Sequence, residues 1–179
     1  LNGGASPRMV QFDNPNRPAS GFHCVLPVDN DGFYAPFGTP GMFMTINDDA
    51  WGYSDQLWVY ELDVNWVNVN LSTFQRVQTI DVAPFDANFG STWENIVQPG
   101  TNQKLDAIPQ VLMHRAQYRN YGDTQRIVCN HTVDVNGADQ AGIRWYELEY
   151  NGTEWEVRQY GTYAPDNLSR WMGSIAMNA

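Results

Sequence analysis

The sequence predicts an all-β protein, and three observations lead to that prediction. Short runs of alternating polar and apolar residues, rich in β-branched and aromatic side chains, recur between clusters of Gly, Asn, Asp and Pro. This pattern is typical of strands separated by turns, and helical periodicity is almost absent. The dipeptide Asn151-Gly152 separates two such runs, and Asn-Gly favours a tight hairpin because both residues accept positive φ angles. The third observation is an internal repeat.

The pattern predicts ten strands, separated by turn residues such as Asn136-Gly137 and Tyr121-Gly122-Asp123. Region 92–105 does not alternate, and we expect it to be a long irregular excursion. In chain order, the predicted strands are 6–12, 22–28, 42–47, 57–64, 74–82, 111–121, 125–134, 142–150, 154–163 and 171–177.

The repeat relates two segments that share the ending Tyr-Glu-Leu. The segment Leu-Trp-Val-Tyr-Glu-Leu at 57–62 is echoed by Ile-Arg-Trp-Tyr-Glu-Leu at 143–148. Each is the third strand of a group of four, and each group ends near Ala-Pro, at 83–84 and at 164–165. Meandering four-stranded units that recur along a chain are typical of β-propeller blades. The sequence therefore predicts a propeller segment, and a β-sandwich is the alternative that ten short strands also allow.

The repeat also predicts how the chain 1–179 is divided. Propellers need about four to eight blades to close, so two blades and two fragments imply that the remainder of the polypeptide, or other subunits, completes the ring. The predicted parts are the last strand of a preceding blade at 1–13, a blade at 21–86, a long insert at 87–109, a second blade at 110–165 and the first strand of the next blade at 170–179.

Charge and hydropathy exclude two classes of partner. The chain has 20 acidic and 10 basic residues, a net charge of −10 and a single lysine, Lys104. Nucleic-acid binding needs clustered cations, so we expect no nucleic acid. A membrane helix needs about 20 consecutive apolar residues, and no stretch approaches that length, so we expect no membrane insertion.

Several segments resemble one family. They are Ser-Pro-Arg-Met-Val-Gln-Phe-Asp at 6–13, Met-Thr-Ile-Asn-Asp-Asp at 44–49, Gln-Tyr-Arg-Asn-Tyr-Gly at 117–122, Ala-Gly-Ile-Arg-Trp-Tyr-Glu-Leu at 141–148 and Arg-Trp-Met-Gly-Ser-Ile-Ala-Met at 170–177. Together they resemble a family of large secreted bacterial proteins with a sialidase-like β-propeller region, often sorted to the cell surface through a C-terminal signal. The resemblance implies a propeller fold and an extracellular or cell-surface location. It carries over no catalytic residues.

A sialidase-like or other glycoside hydrolase would need arginines that grip a carboxylate, a Tyr/Glu pair and an acidic proton donor. Arg115 and Arg119 share one face of a first strand, the strand that would line a propeller's channel. The alternative is that the arginines satisfy turn carbonyls and carboxylates between blades. The candidate catalytic residues are Arg115, Arg119, Arg144, Arg170, Tyr118, Tyr146 and Glu147.

Calcium is the cofactor that the sequence suggests, because hard cations take several oxygen ligands from tight, glycine-containing loops. Asp29-Asn30-Asp31-Gly32 has that spacing, and 134–139 is a looser version. Turn capping by Asp and Asn is the alternative. The candidate ligands are Asp29, Asp31, Asp134, Asn136 and Asp139.

Cys24 and Cys129 are the only cysteines. A disulfide between them would close a loop of roughly 100 residues and stabilise the fold by about 4–5 kcal/mol; the alternative is two buried thiols. Trp51 and Trp93 fall in predicted loops, where an exposed indole could stack on a sugar ring, or where it could anchor the loop instead.

Two functions from different classes follow. The first is a non-catalytic extracellular propeller module for surface binding, adhesion or scaffolding, with glycans as candidate ligands. The second is a sialidase-like or other glycoside hydrolase with its site on the propeller axis.

Overall fold

The computed structural model describes residues 9–14, 24–90 and 94–178, and these residues confirm the all-β prediction. The first four strands are β1 (Leu26–Gly32), β2 (Gly41–Asn47), β3 (Gln56–Asp63) and β4 (Thr73–Asp81). The other four are β5 (Ala116–Asn120), β6 (Gln125–Asp134), β7 (Ala141–Tyr150) and β8 (Trp155–Tyr163). Two 3₁₀ turns, Asp49–Trp51 and Val69–Leu71, complete the regular structure.

The strands form two four-stranded antiparallel meanders within one mixed sheet. Its order is β4-β3-β2-β1-β5-β6-β7-β8. Strands β1 and β5 join the meanders in parallel, with Val28 opposite Ala116 and Gly32 opposite Asn120. The eight-stranded sheet is curled into a half-barrel, with one face turned inward and the other outward. No helical segment within the described ranges has the length and apolar character to cross a membrane.

The core lies inside the half-barrel, where the inner faces of the two meanders pack against each other. Its buried side chains come from alternate positions of the strands, as expected for sheets with one buried face. Burial of each large apolar side chain contributes about 1.5–3 kcal/mol. Its fully buried members include Met44, Ile46, Leu57 and Val59 from the first meander and Ile127, Cys129, Tyr146 and Leu148 from the second.

The outer strands of the two meanders are joined by one side chain. The Gln78 Nε2 atom on β4 donates to the carbonyl oxygen of Trp155 at 2.6 Å. The backbone N–H of Trp155 on β8 donates in return to Gln78 Oε1 at 2.9 Å. The amide of Gln78 thus replaces the main chain of a neighbouring strand, and it joins the two meanders at the edges farthest from β1 and β5.

Strand β1 differs from its prediction. It continues through Asp29–Gly32, which the sequence predicted as a turn, because the main chain of β5 supplies a parallel partner from Val28 to Gly32. The predicted start of this strand at 22–23 lies outside the described residues. The other predicted strands from 42 to 163 occur close to their expected positions, with β5 shorter than predicted.

The two predicted flanking strands are not formed in the described residues. Residues 9–14 have no ladder partner, and neither do residues 170–178; residues 6–8 lie outside the described ranges. A strand needs main-chain partners, and residues 170–178, which cross the outer face of the second meander, meet mainly side chains. The Met172 N–H donates to Thr132 Oγ1 at 3.4 Å, and the Met177 N–H donates to Gln117 Oε1. We call residues 170–178 the strap.

Candidate functional site

The first candidate site lies at the junction of β1 and β5, where the sequence predicted both calcium ligands and catalytic arginines. Arg115 bonds to Asp29 and Asp31 through its two terminal nitrogens. Gln117 Nε2 donates to Asp31 Oδ2 at 2.6 Å. The hydrogen bond from Gln117, and to a smaller extent that from Arg115, holds the pKa of Asp31 below its ordinary value. Both predicted calcium ligands are therefore on a strand and paired with a guanidinium group.

The other candidate arginines bind separate groups. Arg119 lies 5.7 Å from the ring centroid of Tyr121. Arg144 donates to Thr162 Oγ1 at 2.7 Å and to the Ala83 and Pro84 carbonyl oxygens. Arg170 bonds to Asp166 at 2.8 Å and to the Leu168 carbonyl oxygen at 2.9 Å. Arg144 and Arg170 therefore satisfy carbonyl and carboxylate groups of the fold, which was the alternative to a catalytic role.

Tyr118 and Glu147 lie on opposite faces of the second meander. Tyr118 packs in the core, where burial raises the pKa of its hydroxyl, and it donates to Gln125 Oε1 at 2.9 Å. Glu147 lies outward and accepts from Arg126 at 2.5 Å and from Arg158 at 3.1 Å. Tyr146, the other candidate tyrosine, also packs in the core. The Tyr/Glu pair expected of a sialidase is therefore not brought together.

The loop at 134–139 uses its predicted calcium ligands as turn caps. Asp134 Oδ1 accepts from the N–H groups of Asn136 and Gly137, each at 3.0 Å, and its Oδ2 accepts from that of Asp139 at 2.9 Å. Asn136 Oδ1 accepts from Ala138 N–H at 2.9 Å. Asp139 Oδ1 accepts from the N–H of Gly90 at 2.7 Å and so fixes the long insert. These hydrogen bonds match the turn-capping alternative.

A third acidic group was not predicted. Carboxylate oxygens of Asp48, Asp49 and Asp55 lie within 4.8 Å of one another, so the group could hold a metal ion. Asp55 Oδ1 accepts from Asp49 N–H at 2.9 Å, and its Oδ2 accepts from Phe85 N–H at 3.0 Å. Burial raises the pKa of Asp48. The run Asn-Asp-Asp at 47–49 was visible in the sequence, but the approach of Asp55 depends on the pairing of β2 with β3.

Three predicted side chains have other positions. Cys24 is an exposed free thiol and Cys129 a buried one, so the predicted disulfide is not formed. Cys129 points into the core from β6, whereas Cys24 precedes β1. Trp51 is only 7% exposed and packs in the core, so it anchors its loop and presents no indole to a sugar. Trp93 lies outside the described residues.

A cleft lies on the outer face of the second meander, beneath the strap. Its volume is about 550 Å³, and its walls include Ile143, Trp145 and Tyr163. Asn130 on β6 also lines it; this side chain is 1% exposed, and both its Oδ1 and its Nδ2 lack a hydrogen-bond partner among the described residues. The strap supplies the remaining wall with Gly173, Ser174 and Ile175. We call this space the Asn130 cleft.

This cleft was not predicted from the sequence. Neither Asn130 nor Trp145 was predicted to belong to a site. The available signal was a polar residue at an outward position of a strand whose inward neighbours, Cys129 and His131, are buried. That signal gains meaning only when the strap is placed across the same face.

Comparisons of this chain with protein-family models, with curated proteins and with solved structures give no match.

Proposed function

We propose that this chain forms two adjacent blades of a β-propeller that acts as a non-catalytic, extracellular module binding glycans. The observation that carries the proposal is the parallel ladder between β1 and β5. In a propeller, the first strands of successive blades run in the same direction around the axis, and the blades pack face to face. The two meanders have both properties.

The strap supports the same arrangement. Met177 contacts Gln117 and Asn178 contacts Tyr121, so the end of the strap lies beside β5. In the proposed propeller, this segment would lead into the first strand of a further blade. A β-sandwich also packs two sheets face to face, but it does not need a parallel junction continued in this way by a third segment.

We propose that the module is non-catalytic because the candidate arginines already bind other groups of the protein. A glycosidase that grips a substrate carboxylate needs guanidinium groups that converge on one space. Arg115, Arg144 and Arg170 instead bind three different sets of protein groups. The glycoside hydrolase hypothesis therefore gains no support from these contacts.

A glycan array probed with the labelled protein, together with hydrolysis assays on fluorogenic sialosides and neutral glycosides, tests the function. We expect binding without turnover. Turnover that Arg115→Ala abolishes would overturn the non-catalytic assignment. Failure to bind any glycan on the array would overturn the carbohydrate assignment.

Ring closure and location need separate experiments. Negative-stain electron microscopy of the protein within its whole polypeptide should show a ring of about four to eight blades; two flat stacked layers would favour the sandwich. Antibody labelling of intact cells should detect the chain at the surface, and its absence there would contradict the extracellular location.

Calcium belongs to the proposal as a structural ion. If the carboxylates of Asp48, Asp49 and Asp55 bind calcium, addition of calcium should raise the melting temperature, because a ligand that binds only the folded state stabilises it. Asp49→Asn should remove that increase, because Asp49 is the exposed member of the group. An unchanged melting temperature in the wild-type protein would argue against the ion.

A further inference from the structure

We propose that the Asn130 cleft binds the ring of a neutral sugar. The inference rests on the proposed glycan-binding function and deepens it, because it assigns a site and a class of ligand. Its volume of about 550 Å³ lies within the range of about 300–1,000 Å³ that is usual for ligand sites.

The first argument is the amide of Asn130. A buried amide without a hydrogen-bond partner is unfavourable, and such groups in native proteins call for a specific explanation. Asn130 offers one acceptor, Oδ1, and one donor group, Nδ2, and neither has a partner in the described part of the chain. Two adjacent hydroxyl groups of a sugar, each able to donate and accept, match this pair.

The second argument is the aromatic wall. Trp145 lies on the backbone of β8 at Gly161, where an added Cβ would be 3.0 Å from the indole ring. This glycine lets the indole lie close to the sheet. Tyr163, which is 57% exposed, lines the same cleft. Aromatic faces beside one directed polar group form the usual pattern of a small-molecule site, and the apolar C–H face of a pyranose can pack on them.

The third argument is the way in. The strap is held at both ends, at Arg170 by the Ala141 carbonyl oxygen and at Asn178 by Tyr121. Between these points, no hydrogen bond to residues 173–176 occurs among the described residues. Gly173 lies against Asn130 Oδ1, where a Cβ would be 2.7 Å away. We infer that a small outward movement of residues 173–176, between the hydrogen bonds of Met172 and Met177, would expose the amide.

The fourth argument sets the class of sugar. The described residues that line the cleft are apolar, aromatic or neutral polar, and none carries a charge. An acidic sugar would leave its carboxylate without a cation, and an unpaired buried charge is strongly unfavourable. We therefore expect neutral hexoses or N-acetylhexosamines to bind in preference to sialic acid.

The test is an NMR titration with methyl glycosides of glucose, galactose, mannose and N-acetylglucosamine, and with sialic acid in parallel. The readout is the indole N–H signal of Trp145, assigned with Trp145→Phe. We expect at least one neutral glycoside to shift this signal, and Asn130→Leu to weaken its binding at least tenfold. The melting temperature of Asn130→Leu should be equal or higher, because the variant removes an unpaired buried amide.

Tyr163→Ala gives a second variant at an exposed position, and Tyr34→Ala is its matched control, since Tyr34 is a 94% exposed tyrosine outside the cleft. Weakened binding in Tyr163→Ala alone supports the site. Equal binding by the wild type, Asn130→Leu and Tyr163→Ala would overturn the site and leave the glycan-binding function intact. Preference for sialic acid would overturn the ligand class. Absence of binding to every glycan on the array would overturn the proposed function, and this inference with it.

Discussion

The backbone N–H of Ala87 donates a hydrogen bond of 2.6 Å to Oδ2 of Asp48, which lies 39 residues earlier in the chain. The other oxygen of Asp48, Oδ1, accepts from the N–H of Ala50 at 2.8 Å. One buried carboxylate therefore caps the 3₁₀ turn after β2 and fastens the segment after β4 to it. Asp55 has a similar role, because its two oxygens accept from Asp49 and Phe85.

Asp48→Asn should destabilise the fold, because an amide has one acceptor oxygen and either Ala50 or Ala87 then faces an NH₂ group. A buried N–H without an acceptor costs about 1–3 kcal/mol. Burial raises the pKa of Asp48 because a buried charge is unfavourable, and the neutral amide removes that cost and offsets part of the loss. We therefore expect the free energy of unfolding in urea to fall by about 1–2 kcal/mol. Asp49→Asn, at an exposed position in the same turn, should change stability by less than about 0.5 kcal/mol. Equal losses in the two variants would contradict this role for Asp48.

The strands were predictable because their signals are local. Alternation along β6 and β7, and the Asn151-Gly152 turn after β7, depend only on neighbouring residues, and the observed hairpins follow them. The continuation of β1 through Asp29–Gly32 was not predictable in this way, because its partner β5 lies more than 80 residues later. Nearby residues favour a turn there, and the long-range ladder outweighs that preference.

The sites were predicted less well, for a related reason. The turn at 134–139 was recognised, because Asp and Asn bond to backbone groups two or three residues away. Trp51 was predicted to lie in a loop, either exposed to stack on a sugar or as an anchor, and the core of the half-barrel covers it as an anchor. The Asn130 cleft depends on β6, β7, β8 and the strap together. Such a combination has no signature in any one segment.

Gly161→Ala should destabilise the fold and disturb Trp145. A Cβ at this position would lie 3.0 Å from two atoms of the indole ring, and overpacking of this kind costs about 1–3 kcal/mol. Gly41→Ala is the matched control in another strand, since its Cβ would be 3.7 Å from the nearest atom, the Leu62 carbonyl oxygen. There we expect no loss, or a gain of up to about 1 kcal/mol from the stiffer unfolded chain. Urea unfolding followed by tryptophan fluorescence measures both, and a neutral Gly161→Ala would show that the indole does not need this contact.

The two thiols should react very differently with Ellman's reagent. Cys24 is exposed, whereas burial raises the pKa of Cys129 to about 12, and the thiolate is the reactive form. Without reductant, we expect one thiol per chain to react in the native protein and two after unfolding in guanidinium. Cys24→Ser should abolish the native reaction, and Cys129→Ser should leave it unchanged. No reaction in either state would show that the cysteines form a disulfide.

His131 should make the fold less stable as the pH falls below about 6.5. Its ring lies in the core between Phe85, at a centroid distance of 4.6 Å, and Tyr146, at 5.8 Å. Burial lowers the pKa of His131 to about 3, and the positive charge of Arg144 adds to the effect. The unfolded chain takes up a proton near pH 6.5 that the native chain does not, so the free energy of unfolding falls by about 1.4 kcal/mol per pH unit below that value.

His131→Phe keeps an aromatic ring between Phe85 and Tyr146 but removes the titrating group. Urea unfolding between pH 7.5 and 5 should therefore show that the stability difference between wild type and His131→Phe shifts in favour of the variant as the pH decreases. Most of this change should occur below about pH 6.5, where the unfolded histidine becomes charged. His114→Gln, at an exposed position, should follow the wild-type pH dependence. Parallel curves for wild type and His131→Phe would mean that the ring of His131 takes up its proton in the native state as readily as in the unfolded chain.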